Sequence, residues 1–221
     1  MSNPATFEPI GAKADRNRTV ILAAAEELFS KQGFSATRVE DVAEAVGLTR
    51  AGLFYYYKDK QTLYDAMLAD AFRSLVDRLE AVLAADTGTV AQRIECAVEA
   101  WVDSIVARPT LARLVLRFVA DGASQPAKSI LSDNDRIPML FWALFEQGRE
   151  SGEIKPLHDD PFHAASAIIG TTICCVAAVA NLVPHGKFQP LDPLQVAAHK
   201  QEVLFAARHL LGIKNSRRTR R

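Results

Sequence analysis

The stretch Thr37-Arg38-Val39-Glu40-Asp41-Val42-Ala43-Glu44-Ala45-Val46-Gly47-Leu48-Thr49-Arg50-Ala51-Gly52-Leu53-Phe54-Tyr55-Tyr56-Tyr57 decides the fold of this chain. Thr37 and Glu40 have the spacing of a capping box, in which hydroxyl and carboxylate each satisfy a backbone N–H at a helix start. Val39, Val42, Ala43 and Val46 follow as a short apolar stripe. Gly47 supplies the positive φ of a tight turn, and Thr49 is placed to cap a further helix running to about Tyr57. Ala43 is small where two helices must approach, and Leu53 and Tyr57, four apart, anchor that last helix on its neighbours. Upstream, Ile21, Ala24, Ala25, Leu28 and Phe29 recur at helical spacing. Gly33 ends that run, and Phe34 folds back on its last turn. Three short helices, the last two joined through a glycine turn, predict a helix-turn-helix.

The rest of the chain reads as helix too. No run of β-branched residues in strict alternation is flanked by hairpin turn pairs. Breakers such as Gly88, Pro109, Gly152, Pro156, Pro161 and Pro193 cut the whole into about nine helical pieces, an all-α fold. The 221 residues, 49% of them hydrophobic, are enough to bury one or two cores. Lys and Arg number 26, as do Asp and Glu, which excludes a histone-like polycation. Residues 1–60 hold eight bases and eight acids, residues 61–213 thirteen and eighteen, and residues 214–221 five bases alone. All four tyrosines, Tyr55, Tyr56, Tyr57 and Tyr64, fall within ten residues. Three cysteines, Cys174 and Cys175 adjacent, make no disulfide framework. The first thirty residues lack the pattern of an export signal, so the expected location is cytoplasmic.

Gly33-Phe34, Thr37, Val42 to Thr49, Leu53 to Lys60 and Leu63 together resemble the N-terminal domain of tetracycline-repressor-like (TetR/AcrR) regulators. The resemblance covers about residues 17–64. Beyond it the likeness is architectural: about six further helices, a Gly152-Glu153-Ile154 turn and an Asp160-Pro161 helix start. It implies a three-helix DNA-binding head and a larger domain that dimerises and binds a small effector. The expected divisions are an N-terminal arm (1–16), the helix-turn-helix (17–64), the effector-binding and dimerisation domain (65–213) and a basic tail (214–221).

The residues themselves supply a way to hold DNA. A helix from Thr49 to Tyr57 fits a major groove about 12 Å wide. Thr49 and Arg50 at its start face base edges, and Arg50 can fork to a guanine or sit on a phosphate. Ala51 and Gly52 let the helix seat closely. Tyr55 and Tyr56 offer phenolic donors to phosphates, Lys60 adds an ammonium at a helix start, and Thr37 and Arg38 grip the other flank. The resemblance implies phosphate contacts at Thr37, Tyr55 and Lys60. Phe54 stands where that family most often has tyrosine, and Tyr57 where it has a buried phenylalanine. The acids Glu26, Glu27, Glu40, Asp41 and Glu44 are expected away from the groove. One head is a modest electrostatic binder, so the mechanism requires a two-fold dimer on a palindromic DNA operator. Lys13, Arg16 and Arg18, ahead of the first apolar stripe, are placed to reach a neighbouring minor groove, and the tail is either solvated or a nonspecific phosphate binder.

Residues 162–183 are uncharged apart from His163, long enough to consider as a membrane span. Their alanine-rich composition and the absence of an aromatic belt favour a buried dimer helix instead. Ser166, Gly170, Cys174 and Ala178, every four, allow close approach, and Cys174 and Cys175 read as buried and inert. With a last helix of about 193–211, and following the resemblance, this segment from each subunit forms a four-helix homodimer interface. An effector cavity is expected among residues 61–152, with aromatic walls from Trp101, Phe118, Phe141, Trp142 and Phe145. Arg113 and Arg117 suit an acidic ligand; Glu95, Glu99, Asp103 and Glu146 suit a cation. No H-E-x-x-H, G-x-S-x-G, P-loop or C-x-x-C occurs, so no catalytic residue, metal or cofactor is expected. The functional expectation is a homodimeric, ligand-responsive transcriptional repressor and not an enzyme. The alternative is a helical ligand-binding or adaptor protein without sequence-specific DNA binding.

Overall fold

The computed structural model describes residues 10–120, 136–179, 182–183 and 187–213, which form helices and their connections. The chain divides into two compact units, one through Ala71 and one from Phe72. The first holds α1 (Ile10–Ala36), α2 (Val39–Ala45), α3 (Arg50–Tyr56) and the beginning of α4 (Lys60–Leu83). The chain is already helical at Ile10, so part of the segment expected as an arm belongs to α1. Residues 1–9 and the tail 214–221 lie outside the described residues.

The head's core follows the sequence spacing. Ile21, Ala25 and Phe29 of α1, Val42 and Ala43 of α2, Leu53 and Tyr57 of the α3 region, and Leu63, Tyr64 and Met67 of α4 are all buried. Each large side chain removed from water contributes about 1.5–3 kcal/mol. Tyr64 meets the rings of Phe29 and Phe34 edge-on, at centroid distances of 4.9 and 5.0 Å. Gly33 (φ 81°) breaks α1, and Gly47 (φ 68°) turns the chain between α2 and α3. The Leu48 N–H donates to the Ala43 carbonyl at 2.8 Å, which closes that turn.

The capping box expected at Thr37 and Glu40 is not formed. Arg38, not Thr37, is the cap of α2, and it makes no side-chain cap bond. The break at Gly33 exposes a carbonyl that Thr37 satisfies with its hydroxyl at 2.8 Å, and Thr37 is only 1% exposed. A true box stands at α5 instead: the Gln92 N–H donates to Thr89 Oγ1 at 3.1 Å, and the Thr89 N–H to Gln92 Oε1 at 2.9 Å.

The second unit contains α5 (Val90–Ala107), α6 (Thr110–Ala120), α7 (Arg136–Ser151), α8 (Pro161–Cys174) and α9 (Pro193–Leu210). Asp160 and Asp192 cap α8 and α9, each followed by a proline in the first turn. Ile94, Val98 and Val102 of α5 form the centre of a core with Leu144 and Phe145 of α7, Ala164 and Ile168 of α8, and Val203, Leu204 and Ala207 of α9. Gly148 makes the close approach of α7 possible: a Cβ there would lie 2.7 Å from Val90 Cγ1. Arg208 clamps α9 to α5 by a bidentate pair with Glu95 (2.7 and 2.9 Å). Lys200 adds a second tie to Asp103.

Helix α8 loosens into a π-helical stretch, Cys175–Val179, where a straight run to residue 183 was expected. Pro161–Val179, with a mean hydropathy of 1.8, is long and apolar enough to cross a membrane, though only 22% of it is buried. Its buried face, with Ile168, Thr172 and Ile173, belongs to the protein interior. The opposite face exposes Phe162, Ser166, Ile169, Gly170 and Cys174. The cysteines are therefore not buried in the single chain: Cys174 is exposed on this outer face and Cys175 half-buried.

Candidate nucleic-acid interface

Helix α3 stands on two anchors, Leu53 and Tyr57, and leaves Arg50, Ala51 and Tyr55 exposed. Thr49 caps it, accepting the Gly52 N–H at 3.0 Å. Arg50 and Ala51 are exposed. Gly52 faces its own cap: a Cβ there would meet Thr49 Oγ1 at 3.3 Å and Leu48 at 3.7 Å. Its smallness thus serves the turn. Arg50 Nη1 pairs with Glu40 Oε1 at 3.0 Å, and its guanidinium lies 5.4 Å from the Phe54 ring centroid. Glu40 is therefore not remote from the recognition helix, contrary to the sequence expectation. The first turns of α2 and α3 bring the two residues side by side.

The four clustered tyrosines divide into two pairs. Tyr57 and Tyr64 are core residues, and burial pushes the Tyr57 phenol above its ordinary pKa. Tyr55 is 84% exposed, and its ring meets that of Tyr56 edge-on at 5.2 Å. The Tyr56 hydroxyl accepts a hydrogen bond from Asn17 Nδ2 at 2.8 Å. Lys60 leans back on the head. Its ammonium donates to the Ser35 carbonyl at 3.3 Å and lies 4.5 Å over the Phe34 ring, and partial burial lowers its pKa. Arg38 is exposed, whereas Thr37 is buried with its hydroxyl turned inward. Asp59 caps α4, accepting from the Thr62 N–H at 2.7 Å, and these bonds hold its carboxyl below the usual range.

The structure thus brings Arg38, Thr49, Arg50, Ala51, Tyr55, Tyr56 and Lys60 to the region of α2, α3 and the α4 start. Sequence reading missed Asn17 and Asp59, and it placed Glu40 away from the groove. Only Asp59, a cap three residues before Thr62, left a local signal.

In the second unit Trp101 and Phe141 pack against the core that holds Phe145, and the expected effector residues differ in exposure. Phe145 is fully buried, Trp101, Phe118, Phe141 and Arg113 are half-buried, and Arg117 and Trp142 are exposed. A small pocket is lined by Phe145 with Pro156, His158, Asp160, Ala164, Leu210 and Leu211. The acids offered for a cationic ligand are mostly committed. Glu95 holds Arg208, Asp103 holds Arg78 and Lys200, and Glu146 pairs with Arg149 at 3.5 Å. The Trp101 Nε1–H is buried and has no acceptor among the described residues.

A helix-turn-helix head with an outward second helix, joined to a helical second unit, defines the class. Residues 21–67 match the family model described as bacterial regulatory proteins, tetR family, and over that stretch the chain is similar to it. The HTH-type transcriptional regulator RutR of Escherichia coli (strain K12) is 43% identical over 51 residues, 23% of this chain and 24% of RutR. The chain thus matches about a quarter of that relative's length. Among solved structures, the ketosteroid transcriptional regulator KstR2 of Mycobacterium tuberculosis superposes with a TM-score of 0.67 at 21% identity, over 86% of this chain and 92% of KstR2. AibR, solved in complex with isovaleryl coenzyme A and operator DNA, gives 0.64 at 17% identity over 85% and 96%. These two likenesses carry the fold.

Proposed function

We propose that this chain is a homodimeric DNA-binding transcriptional regulator, a repressor that leaves a palindromic operator when a small molecule binds its second unit. The observation that carries the reading is α3 itself, anchored by Leu53 and Tyr57 while Arg50, Ala51 and Tyr55 stay open. In this reading Arg50 exchanges Glu40 for a guanine edge, and Thr49 and Ala51 line the groove. Tyr55, Tyr56, Lys60 and Arg38 position the head on phosphates, while Thr37, bonded to the Gly33 carbonyl, supports the turn beneath them.

The outer faces of α8 and α9 support a dimer. Leu194 is 79% and Phe205 72% exposed, and Phe162 and Ile169 continue the apolar surface. Ser166 and Gly170 leave the backbone of α8 open; a Cβ at Gly170 would meet nothing within 4 Å. A second copy covers this face and pairs two heads for two half-sites.

Trp101 and the half-buried aromatics supply the effector's surroundings, and the Trp101 donor, which has no acceptor among the described residues, favours a ligand with an acceptor group. The described acyl-coenzyme A complex of the similar fold supports a small-molecule effector of this kind. The ligand acts by binding better to a conformation whose heads no longer match the half-sites. Selection of duplexes from a random pool by the full chain tests the reading. A recovered palindrome bound by two chains supports it; enrichment of no sequence contradicts it.

A further inference from the structure

We propose that Asn17 is a positioning residue for DNA binding, which aims the Tyr56 hydroxyl proton outward at a backbone phosphate. The inference rests on the reading of the head as a DNA-binding domain. Asn17 lies on α1 and Tyr56 in the last turn of α3, and their side chains meet in a half-buried setting at 2.8 Å.

The direction of the bond is the argument. Asn17 Nδ2 donates, and the Tyr56 oxygen accepts. A phenol carries a single proton, which this arrangement leaves uncommitted. Accepting one hydrogen bond also polarises the O–H group and strengthens the bond it donates. The Tyr55 ring stands perpendicular to that of Tyr56 at 5.2 Å. The Asn17 bond holds the Tyr56 phenol before DNA arrives, so less freedom is lost on binding. Asn17 itself is half-buried and needs no contact with DNA. An aspartate at this position would keep a hydrogen bond but reverse it, turning the phenol proton inward.

The test uses the full chain and a scrambled duplex, so no operator need be known. Fluorescence anisotropy is read across a salt series, and thermal melting is followed in parallel. Asn17→Ala is expected to weaken binding roughly three- to tenfold, the size of one lost hydrogen bond. The salt slope should stay unchanged, because no cation is removed from the interface. In a Tyr56→Phe background, Asn17→Ala should cost nothing further. Asn17→Asp should weaken binding more than Asn17→Ala beside Tyr56, and less once Tyr56 is phenylalanine. The proposal is overturned if Asn17→Ala leaves wild-type affinity intact, or if its cost is the same with and without the Tyr56 hydroxyl. The melting curves guard against a purely structural loss, and Asn17→Asp, measured with and without Tyr56→Phe, gives the same comparison where Asn17→Ala fails to fold. Failure of the wild type to bind any duplex overturns the DNA reading, and this inference with it.

Discussion

Arg50 and Glu40 form an ion pair across the helix-turn-helix, Nη1 to Oε1 at 3.0 Å, with the Arg50 guanidinium over Phe54. The side chain offered to the groove is thus already partnered in the free protein. Both groups are substantially exposed, so the pair is worth less than about 1 kcal/mol. Glu40→Gln removes the competitor and one negative charge beside Arg50. Duplex affinity at low salt should rise, by up to about fivefold for that energy. A fall in affinity would mean that Glu40 holds Arg50 in its productive position.

The dimer reading separates two kinds of residue on α9. Phe205 is exposed, whereas Val203 lies in the core of the same chain. Phe205→Glu should yield a folded monomer in sedimentation, with an unchanged helical spectrum. Val203→Glu should unfold the second unit, since an unpaired charge would be buried. A Phe205→Glu protein that remains a dimer would move the interface elsewhere.

Gly148 lets α7 pack closely on α5. A methyl group there would stand 2.7 Å from Val90 Cγ1 and 3.1 Å from Ile154 Cγ1. Gly148→Ala should destabilise the second unit by about 1–3 kcal/mol through overpacking, despite alanine's better helix propensity. Denaturant unfolding of the variant beside the wild type measures the difference, and Val90→Ala should restore part of it.

His199 on α9 is buried, with Nε2 3.3 Å from Thr172 Oγ1 on α8. Burial lowers its pKa below the ordinary value, while Glu202 opposes that shift. Below about pH 6.5 the unfolded chain therefore binds the proton more readily than the native one. The stabilising contribution of neutral His199 is full above that pH and is lost as the pH falls toward the native pKa. Melting temperature should decline between pH 7 and 5, and His199→Gln should flatten that decline. An equally steep decline in the variant would place the titration elsewhere.

The helix-turn-helix was legible because its signals are local. Thr49, Gly47 and the spacing of Val42, Ala43 and Leu53 act within a few residues of one another. The same locality explains the error at Thr37. Thr37-x-x-Glu40 and Thr89-x-x-Gln92 look alike in sequence, yet only the second closes. Gly33 offers Thr37 a free carbonyl, and Arg50 draws Glu40 away. Asn17 with Tyr56, and Glu95 with Arg208, are joined across long stretches of chain and leave no periodic trace. The outer face of α8 was readable as small and apolar, but its exposure, and that of Cys174, required the packed chain.

The most direct measurement is anisotropy of the wild type, Arg50→Ala and Lys60→Ala on a pool-selected duplex and on its scrambled counterpart, across a salt series. The account predicts that Arg50→Ala erases the preference for the selected duplex, worth roughly 1–3 kcal/mol of discrimination. Lys60→Ala should weaken both duplexes alike and reduce the salt slope by about one. A preference that survives Arg50→Ala undiminished would contradict the assignment of α3 as the base-reading helix.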